Sequence, residues 1–289
     1  LTGFTVEVLC VGNELLLGRT IDSNSNYICR RVYELGGTAR RVTIVPDDVE
    51  EIAKALTEIS SRGTDWAIVT GGLGPTYDDK TLQGLAAAMK VPMSLSSKAL
   101  EYINESVRRR AMATGINYPA TEQMLKAREK MGIIPEGSEP LPNPVGTAPA
   151  VLARVHNTRV VCLPGVPAEM KAIFDQSVVP MLTSAAPSAY TVDIDVVGVP
   201  EAALAPLLES TAKEYPDFYI KSHPATAEKQ SRVIIQITGR GADSAKRTEE
   251  VARIFTKWLE SQRASFRLNR STDTGQTVSQ RFEDSHHSR

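Results

Sequence analysis

The sequence predicts an α/β fold in two parts: a large domain on a mostly parallel sheet over residues 4–187, then a small α+β domain over 188–262. Three observations carry this. Short apolar runs alternate with amphipathic helical stretches through the first 70 residues. Glycine-rich loops follow the apolar runs, and the pattern changes after the small-residue stretch 184–188. At roughly 150 residues per domain, a chain of 289 residues suits one large domain and one smaller one.

Val6 to Val11 is a buried-strand run ended by Gly12. Asp22 to Asn26 caps a helix carrying Ile28, Val32 and Leu35, which Gly36 and Gly37 stop. Val42, Ile44 and Val45 form a second strand, and Pro46 with two aspartates opens a helix bearing Ile52, Leu56 and Ile59. Trp66 to Thr70 is a third strand running straight into glycines. Strand and helix alternating at this spacing imply parallel pairing through right-handed crossovers. Residues 79–130 read as helical throughout, with separate helices starting near Ser97 and Pro119; 133–149 read as a proline-rich connection. Val151–Val155 and Arg159–Leu163 flank a His-Asn turn, and one helix spans 168–182. In the small domain, strands at 190–197, 218–220 and 233–238 accompany helices at 200–213 and 242–260. From Arg263 to the end, a polar composition predicts a loosely held tail, residues 263–289.

Composition excludes several classes. Lys and Arg number 33 against 34 Asp and Glu, a net charge of -1, which argues against binding nucleic acid by bulk electrostatics. No stretch approaches the roughly 20 consecutive apolar residues of a membrane-spanning helix. No signal peptide is visible, so a cytoplasmic protein without membrane partners is expected. Cys10, Cys29 and Cys162 are too few and too scattered for a disulfide framework or a zinc site, and two lie within apolar runs.

The most informative segment is Thr70–Thr81, T-G-G-L-G-P-T-Y-D-D-K-T. It leaves the carboxyl end of a strand and enters a helix, where open α/β sheets place ligands. Gly71, Gly72, Leu73, Gly74, Pro75 and Thr76 can bring backbone N–H groups against a phosphate, assisted by the helix start. Asp78 and Asp79 would repel that phosphate unless a divalent metal such as Mg²⁺ lay between them. A glycine turn with an aspartate N-cap is the structural alternative. The segment is neither G-x-x-x-x-G-K-[ST] nor G-x-G-x-x-G.

Three more loops belong to the same edge. V-G-N-E-L-L-L-G offers Glu14; N-P-V-G-T-A-P offers Asn143, Gly146 and Thr147; L-P-G-V-P-A-E-M-K offers Gly165 and Glu169. Each alone reads as a turn, but four such loops at strand ends describe one crevice. Within it, Asp78 and Asp79 would hold the metal, and Glu14 would be a third ligand or the general base. Backbone amides at 71–74 would steady phosphoryl charge. Gly146 and Thr147 offer backbone and hydroxyl contacts beside Asn143, with Gly165 and Glu169 in the neighbouring loop.

In this order and spacing the four motifs resemble the N-terminal half of the CinA (competence/damage-inducible) family, a branch of the MoaB/Mog molybdopterin-binding fold. The likeness covers residues 4 to about 183, and the small domain is similar, more weakly, to the KH-like domain that follows in CinA proteins. The resemblance implies a three-layer α/β fold, a homo-oligomer with a dimer favoured, and metal-dependent hydrolysis of ADP-ribose to AMP and ribose 5-phosphate, or of FAD. It implies too that Asn143, Gly146 and Thr147 hold the nucleotide and that Glu169 bonds a ribose or braces a loop. It implies as alternative a non-catalytic or adenylyl-transferring nucleotide- or molybdopterin-binding protein. Leu73 tilts away from molybdopterin, whose branch usually has T-G-G-T-G. The chain ends where the nicotinamide mononucleotide deamidase domain of full CinA proteins would begin, so deamidation is not expected. Asn13 stands where many relatives have Asp. The KH-type G-X-X-G loop is missing at Gly239–Ala242 (G-R-G-A), which speaks against nucleic-acid binding. His223 reads as a surface residue, and Arg108–Arg110 as cations at a helix C-terminus. At most one of Arg30 and Arg31 could face the crevice.

Overall fold

The computed structural model describes residues 3–115, 121–183, 189–225, 231–241, 243–272 and 277–282. It divides into two compact units, one of Phe4–Tyr33 with Gly37–Ala185, the other of Leu1–Gly3, Glu34–Gly36 and Ala186–Arg289.

The larger unit begins β1 (Thr5–Val11), α1 (Asn13–Leu16), α2 (Ser23–Glu34), β2 (Thr38–Val45), α3 (Val49–Ser61), β3 (Trp66–Thr70) and α4 (Thr81–Met89). It continues β4 (Met93–Leu95), α5 (Ser97–Thr114), α6 (Glu122–Gly132), β5 (Ile133–Pro135), β6 (Glu139–Leu141), β7 (Ala150–Val155), β8 (Thr158–Leu163) and α7 (Pro167–Ile173). A π-turn (Phe174–Val178) and α8 (Val179–Thr183) close it. The central sheet runs β2–β1–β3–β8–β7–β6. Its first four strands are parallel; β7 runs antiparallel to β8, and β6 antiparallel to β7.

Parallel strands covered on both faces need apolar residues at successive positions, and Val8, Leu9 and Cys10 of β1 are fully buried, as are Ala67, Ile68 and Val69 of β3. Cys10 pairs with Ile44 and Thr70, and Thr70 pairs with Leu163. The carboxyl ends of β1, β2, β3 and β8 are therefore level, and the loops at 12, 46, 71 and 164 leave the sheet along one edge. Asp48 caps α3 by accepting from the amides of Glu50 and Glu51. Ile52, Leu56 and Ile59 of that helix are buried in the core with Leu85 of α4.

Three expectations need correction here. Residues 79–130 are not wholly helical and 133–149 are not one loop: β4 and β5 form a small antiparallel pair, and β6 joins β7. Three-residue strands are too short to carry a period-2 signal, and the prolines in β5 and β6 sit where a strand has a single partner. The helix expected over 168–182 is broken by the π-turn. Pro180 has no N–H to return to residue 176, so the ladder changes register just before it. Pro119 lies outside the described residues.

The smaller unit contains β9 (Ala189–Val197), α9 (Glu201–Glu214), β10 (Tyr219–Ala225), β11 (Arg232–Arg240), α10 (Ser244–Ser261), β12 (Ser265–Thr272) and β13 (Thr277–Phe282). They form an antiparallel sheet ordered β10–β11–β9–β12–β13. Val192, Ile194 and Val196 alternate into a core with Ile235, Ile237, Phe255 and Leu259. The tail expected from residue 263 is therefore strand over much of its length. In S-F-R-L-N-R, Phe266 and Leu268 alternate inward and are buried, and β12 pairs with β9 along eight residues. His286 and His287 lie outside the described residues. Among the described residues no helix is long and apolar enough to cross a membrane.

Candidate functional site

Along the carboxyl edge of the sheet lies a cleft of about 940 Å³ within the larger unit. Loops after β1, β3 and β8 line it, with the turn that precedes β7. Its size falls at the upper end of small-molecule sites.

The 71–76 loop is built by glycine. Gly71 has φ 100°, and its amide bonds Leu163 O at 3.0 Å, tying the end of β3 to β8. A Cβ there would stand 2.1 Å from the Val11 carbonyl oxygen. Gly72 has φ 63°, and its carbonyl receives the Thr81 amide at 3.2 Å, while the Thr81 hydroxyl donates to Gly71 O at 2.8 Å. The loop is thus folded back onto the first turn of α4. Among the described residues the amides of Gly72, Leu73 and Gly74 donate to no protein acceptor, and all three residues line the cleft. Pro75 and Thr76 line it too.

Asp78 and Asp79 converge on Thr76. The Thr76 hydroxyl is 2.6 Å from Asp78 Oδ1 and 2.6 Å from Asp79 Oδ2, and the Thr76 amide donates to Asp79 Oδ2 at 2.8 Å. The Thr76 hydroxyl, foremost, holds the Asp78 carboxyl below its ordinary value, with its own amide and Lys130 and Lys80 adding to this. Lys130 of α6 reaches the same turn, donating to the carbonyls of Thr76 and Asp79. The aspartate N-cap alternative does not hold, because the N-cap position of α4 is Lys80.

Glu14, in the first turn of α1, lines the cleft with both aspartates. Gly12 leaves room for its carboxylate, since a Cβ there would meet Glu14 Oε1 at 2.5 Å. The three carboxylates do not form one ligand set: among the described residues no three His, Cys, Asp or Glu side chains are grouped to hold a metal. The expected triad is thereby reduced to a pair. Two carboxylates drawn onto one hydroxyl fit a hard divalent cation that takes its other oxygens from a phosphate and water; they do not fit a resident protein-only metal centre.

The 143–148 turn corrects another expectation. Asn143 is buried and holds the turn rather than facing the cleft. Its Oδ1 accepts from Val145 N and Gly146 N at 3.1 and 2.7 Å, and its Nδ2 donates to Ala148 O and Glu169 Oε2 at 2.9 and 2.7 Å. Glu169, at the start of α7, therefore braces this turn, and Gly146 is packed so closely that a Cβ would overlap its carboxylate. Gly146, Thr147, Gly165 and Glu169 all line the cleft. Asn24 of α2 holds Gly165 by donating to its carbonyl at 2.8 Å.

The other wall was not read from the sequence. Helices α5 and α6 supply Val107, Arg110, Ala111, Met124, Arg128 and Met131, and Asp47 adds a carboxylate that accepts from Asn13 N at 2.8 Å. Arg108–Arg110 are not at a helix end, since α5 runs on to Thr114 and a terminal charge acts only within the last turn. Arg109 donates to Asn143 O at 2.9 Å, and Arg110 lines the cleft. Neither Arg30, stacked over Tyr27, nor Arg31, paired with Asp175, lines it. Cys10 is buried and donates to Asp22, and burial pushes its thiol up to about 12.

The family described as a probable molybdopterin binding domain matches residues 7–184. A protein of Aeropyrum pernix is 41% identical over 223 residues, covering 76% of this chain and 79% of its own. One from Sulfurisphaera tokodaii is 37% identical over 257 residues, covering 88% and 93%. The crystal structure of CinA, a protein with unknown function from Thermoplasma acidophilum, shares 34% identity at a TM-score of 0.53, covering 62% of this chain and 99% of that one. The larger unit accordingly has the MoaB/Mog-like fold, and the chain belongs to the probable molybdopterin binding domain family, as a CinA-type member.

Proposed function

We propose that the cleft binds a nucleotide pyrophosphate of the ADP-ribose or FAD type and, with a divalent cation such as Mg²⁺, hydrolyses it. The observation that carries this is the pairing of three uncommitted amides, Gly72–Gly74, with two carboxylates gathered by Thr76 in one cleft. The amides suit the ligand's phosphate oxygens and the charge that builds on them during P–O cleavage. Asp78 and Asp79 would hold the cation, which supplies charge neutralisation between carboxylate and phosphate. Thr76 and Lys130 fix the turn that aims both carboxylates, so little reorganisation is needed on binding. Glu14, exposed to solvent in the cleft, is the general base in this reading and takes the proton of the attacking water. Leu73 and the α5–α6 wall exclude water from one side and receive the flat heterocycle.

A second reading, binding or adenylylating a pterin without hydrolysis, is favoured by the family match itself. A panel of dinucleotides incubated with and without Mg²⁺ separates the two. Mononucleotide products that disappear in Asp78→Ala and Asp79→Ala support hydrolysis, and tight binding without turnover supports the second reading. Dimeric assembly and cytoplasmic location, both expected from the sequence, belong to this proposal.

A further inference from the structure

The α5–α6 wall carries more than apolar surface. From α5 the cleft is lined by Val107, Arg110, Ala111 and Thr114, and from α6 by Met124, Ala127, Arg128 and Met131. Both sets are spaced i, i+3, i+4, i+7, one face of a helix. Each stripe thus presents a single arginine among small or apolar neighbours, which is where a long cationic side chain lays its stem on carbon and keeps its head in the cleft.

Neither head, among the described residues, is spent on the protein. Among the described residues the Arg110 and Arg128 side chains have no carboxylate or carbonyl partner, unlike Arg109 beside them. Five carboxylates line the same cleft, from Glu14, Asp47, Asp78, Asp79 and Glu169, and none pairs with either arginine. A cleft this acidic disfavours any further anion on a ligand unless specific cations receive it.

Their position separates them from the glycine loop. Met131 also lines a smaller hollow shared with Gly72, Leu73 and Gly74, so the inner end of the α6 stripe lies at that loop. Arg128 is three residues back, about 4.5 Å along the helix axis. On α5, Ser106 bonds Gly146 O at 2.7 Å, and Arg110 is four residues on, about 6 Å along the axis. Arg128 thus springs from about one helical turn beyond the glycine loop, and Arg110 from about one turn beyond the 143–148 turn.

We propose that Arg110 and Arg128 form a second anion subsite, which receives a phosphomonoester carried by the ligand beyond its pyrophosphate. The preferred ligands are then nucleoside diphosphate compounds with an additional phosphate on a ribose. The guanidinium fork suits a phosphate dianion, and two forks together neutralise it. This rests on the reading of the glycine loop as the pyrophosphate site.

Calorimetry with Mg²⁺ on the full chain carrying Glu14→Gln, which removes the proposed general base so that ligand is held without turnover, comparing ADP-ribose with its 2′-phosphorylated form, tests it. The expected result is about tenfold tighter binding of the phosphorylated compound, a ratio that falls towards one in Arg110→Ala/Arg128→Ala. Arg108→Ala, outside the cleft, keeps the ratio. Thermal unfolding of each variant checks that it folds. Equal affinities with both arginines in place overturn the second subsite and leave the pyrophosphate reading intact. An equal loss for both compounds in the double variant assigns the arginines to the pyrophosphate and also overturns it. If neither compound binds, the pyrophosphate reading fails first and this one with it.

Discussion

Replacing Gly71 with alanine places a methyl carbon 2.1 Å from a backbone oxygen, Val11 O, in a residue whose φ is 100°. A positive φ costs an L-residue about 1–2 kcal/mol. Narrowing the unfolded chain's freedom returns about 0.4–1 kcal/mol. Forcing an extra carbon against fixed backbone adds about 1–3 kcal/mol, so Gly71→Ala is expected to destabilise the larger unit by about 3 kcal/mol in sum. Gly18 supplies the control: its φ is 66° and a Cβ there meets nothing within 4 Å, so Gly18→Ala should cost about 1 kcal/mol or less. Urea unfolding followed by Trp66 fluorescence in a Trp258→Phe background reads the larger unit, because Trp66 lies on β3 and Trp258 on α10 of the other unit. If Gly71→Ala and Gly18→Ala agree within about 0.5 kcal/mol, the close approach of β3's end to β1 does not constrain position 71.

Other elements give their own tests. Glu7 is buried with Arg62 at 2.7 and 3.0 Å and Thr64 at 2.7 Å; Arg62→Ala strands that carboxylate and should cost about 3 kcal/mol in urea unfolding. Burial opposes ionisation of Glu7, yet the bonds from Arg62 and Thr64 prevail and lower its pKa. Its contribution is therefore full above the ordinary glutamate value and lost as pH falls through the lower folded value; Glu7→Gln should flatten that acid limb. Cys10 and Cys162, buried with thiols pushed up to about 12, should resist iodoacetamide in the native protein at pH 8 and react once unfolded, as mass spectrometry would read. Phe266→Ala should destabilise the smaller unit by about 3 kcal/mol, read by Trp258 fluorescence; an unchanged midpoint would mean that β12 adds nothing to that sheet.

The four glycine-rich loops were legible because each constraint is local. Gly71 and Gly72 turn at positive φ, Gly12 and Gly146 lie where a Cβ would run into the Glu14 and Glu169 carboxylates, and the residues flanking them carry the chemistry. Level strand ends, Cys10 beside Thr70 and Thr70 beside Leu163, then bring those loops together. Asn143 was misplaced for a related reason: the same polar side chain serves a ligand or its own turn, and only the fold shows its amide spent on Ala148 and Glu169. The α5–α6 wall was illegible because its residues meet the cleft through packing at long range. Arg110 reads as a helix-end charge only if the stop signal is overlooked: Gly115, left-handed at the C-cap, ends α5 beyond Thr114 and leaves Arg110 a full turn inside. In β12 the alternation of Phe266 and Leu268 was present in the sequence but outweighed by the polar residues between them.

The central claim is that the amides of Gly72–Gly74 and the Asp78–Asp79 pair act together on a nucleotide pyrophosphate. It is tested most directly by following ADP-ribose by phosphorus NMR with the full chain and Mg²⁺. The expected result is conversion of the diphosphate signals to two phosphomonoesters, AMP and ribose 5-phosphate, abolished by chelation and cut by at least about 100-fold in Asp78→Ala/Asp79→Ala. A diphosphate that stays intact with every divalent metal, or turnover that survives loss of both aspartates, contradicts it.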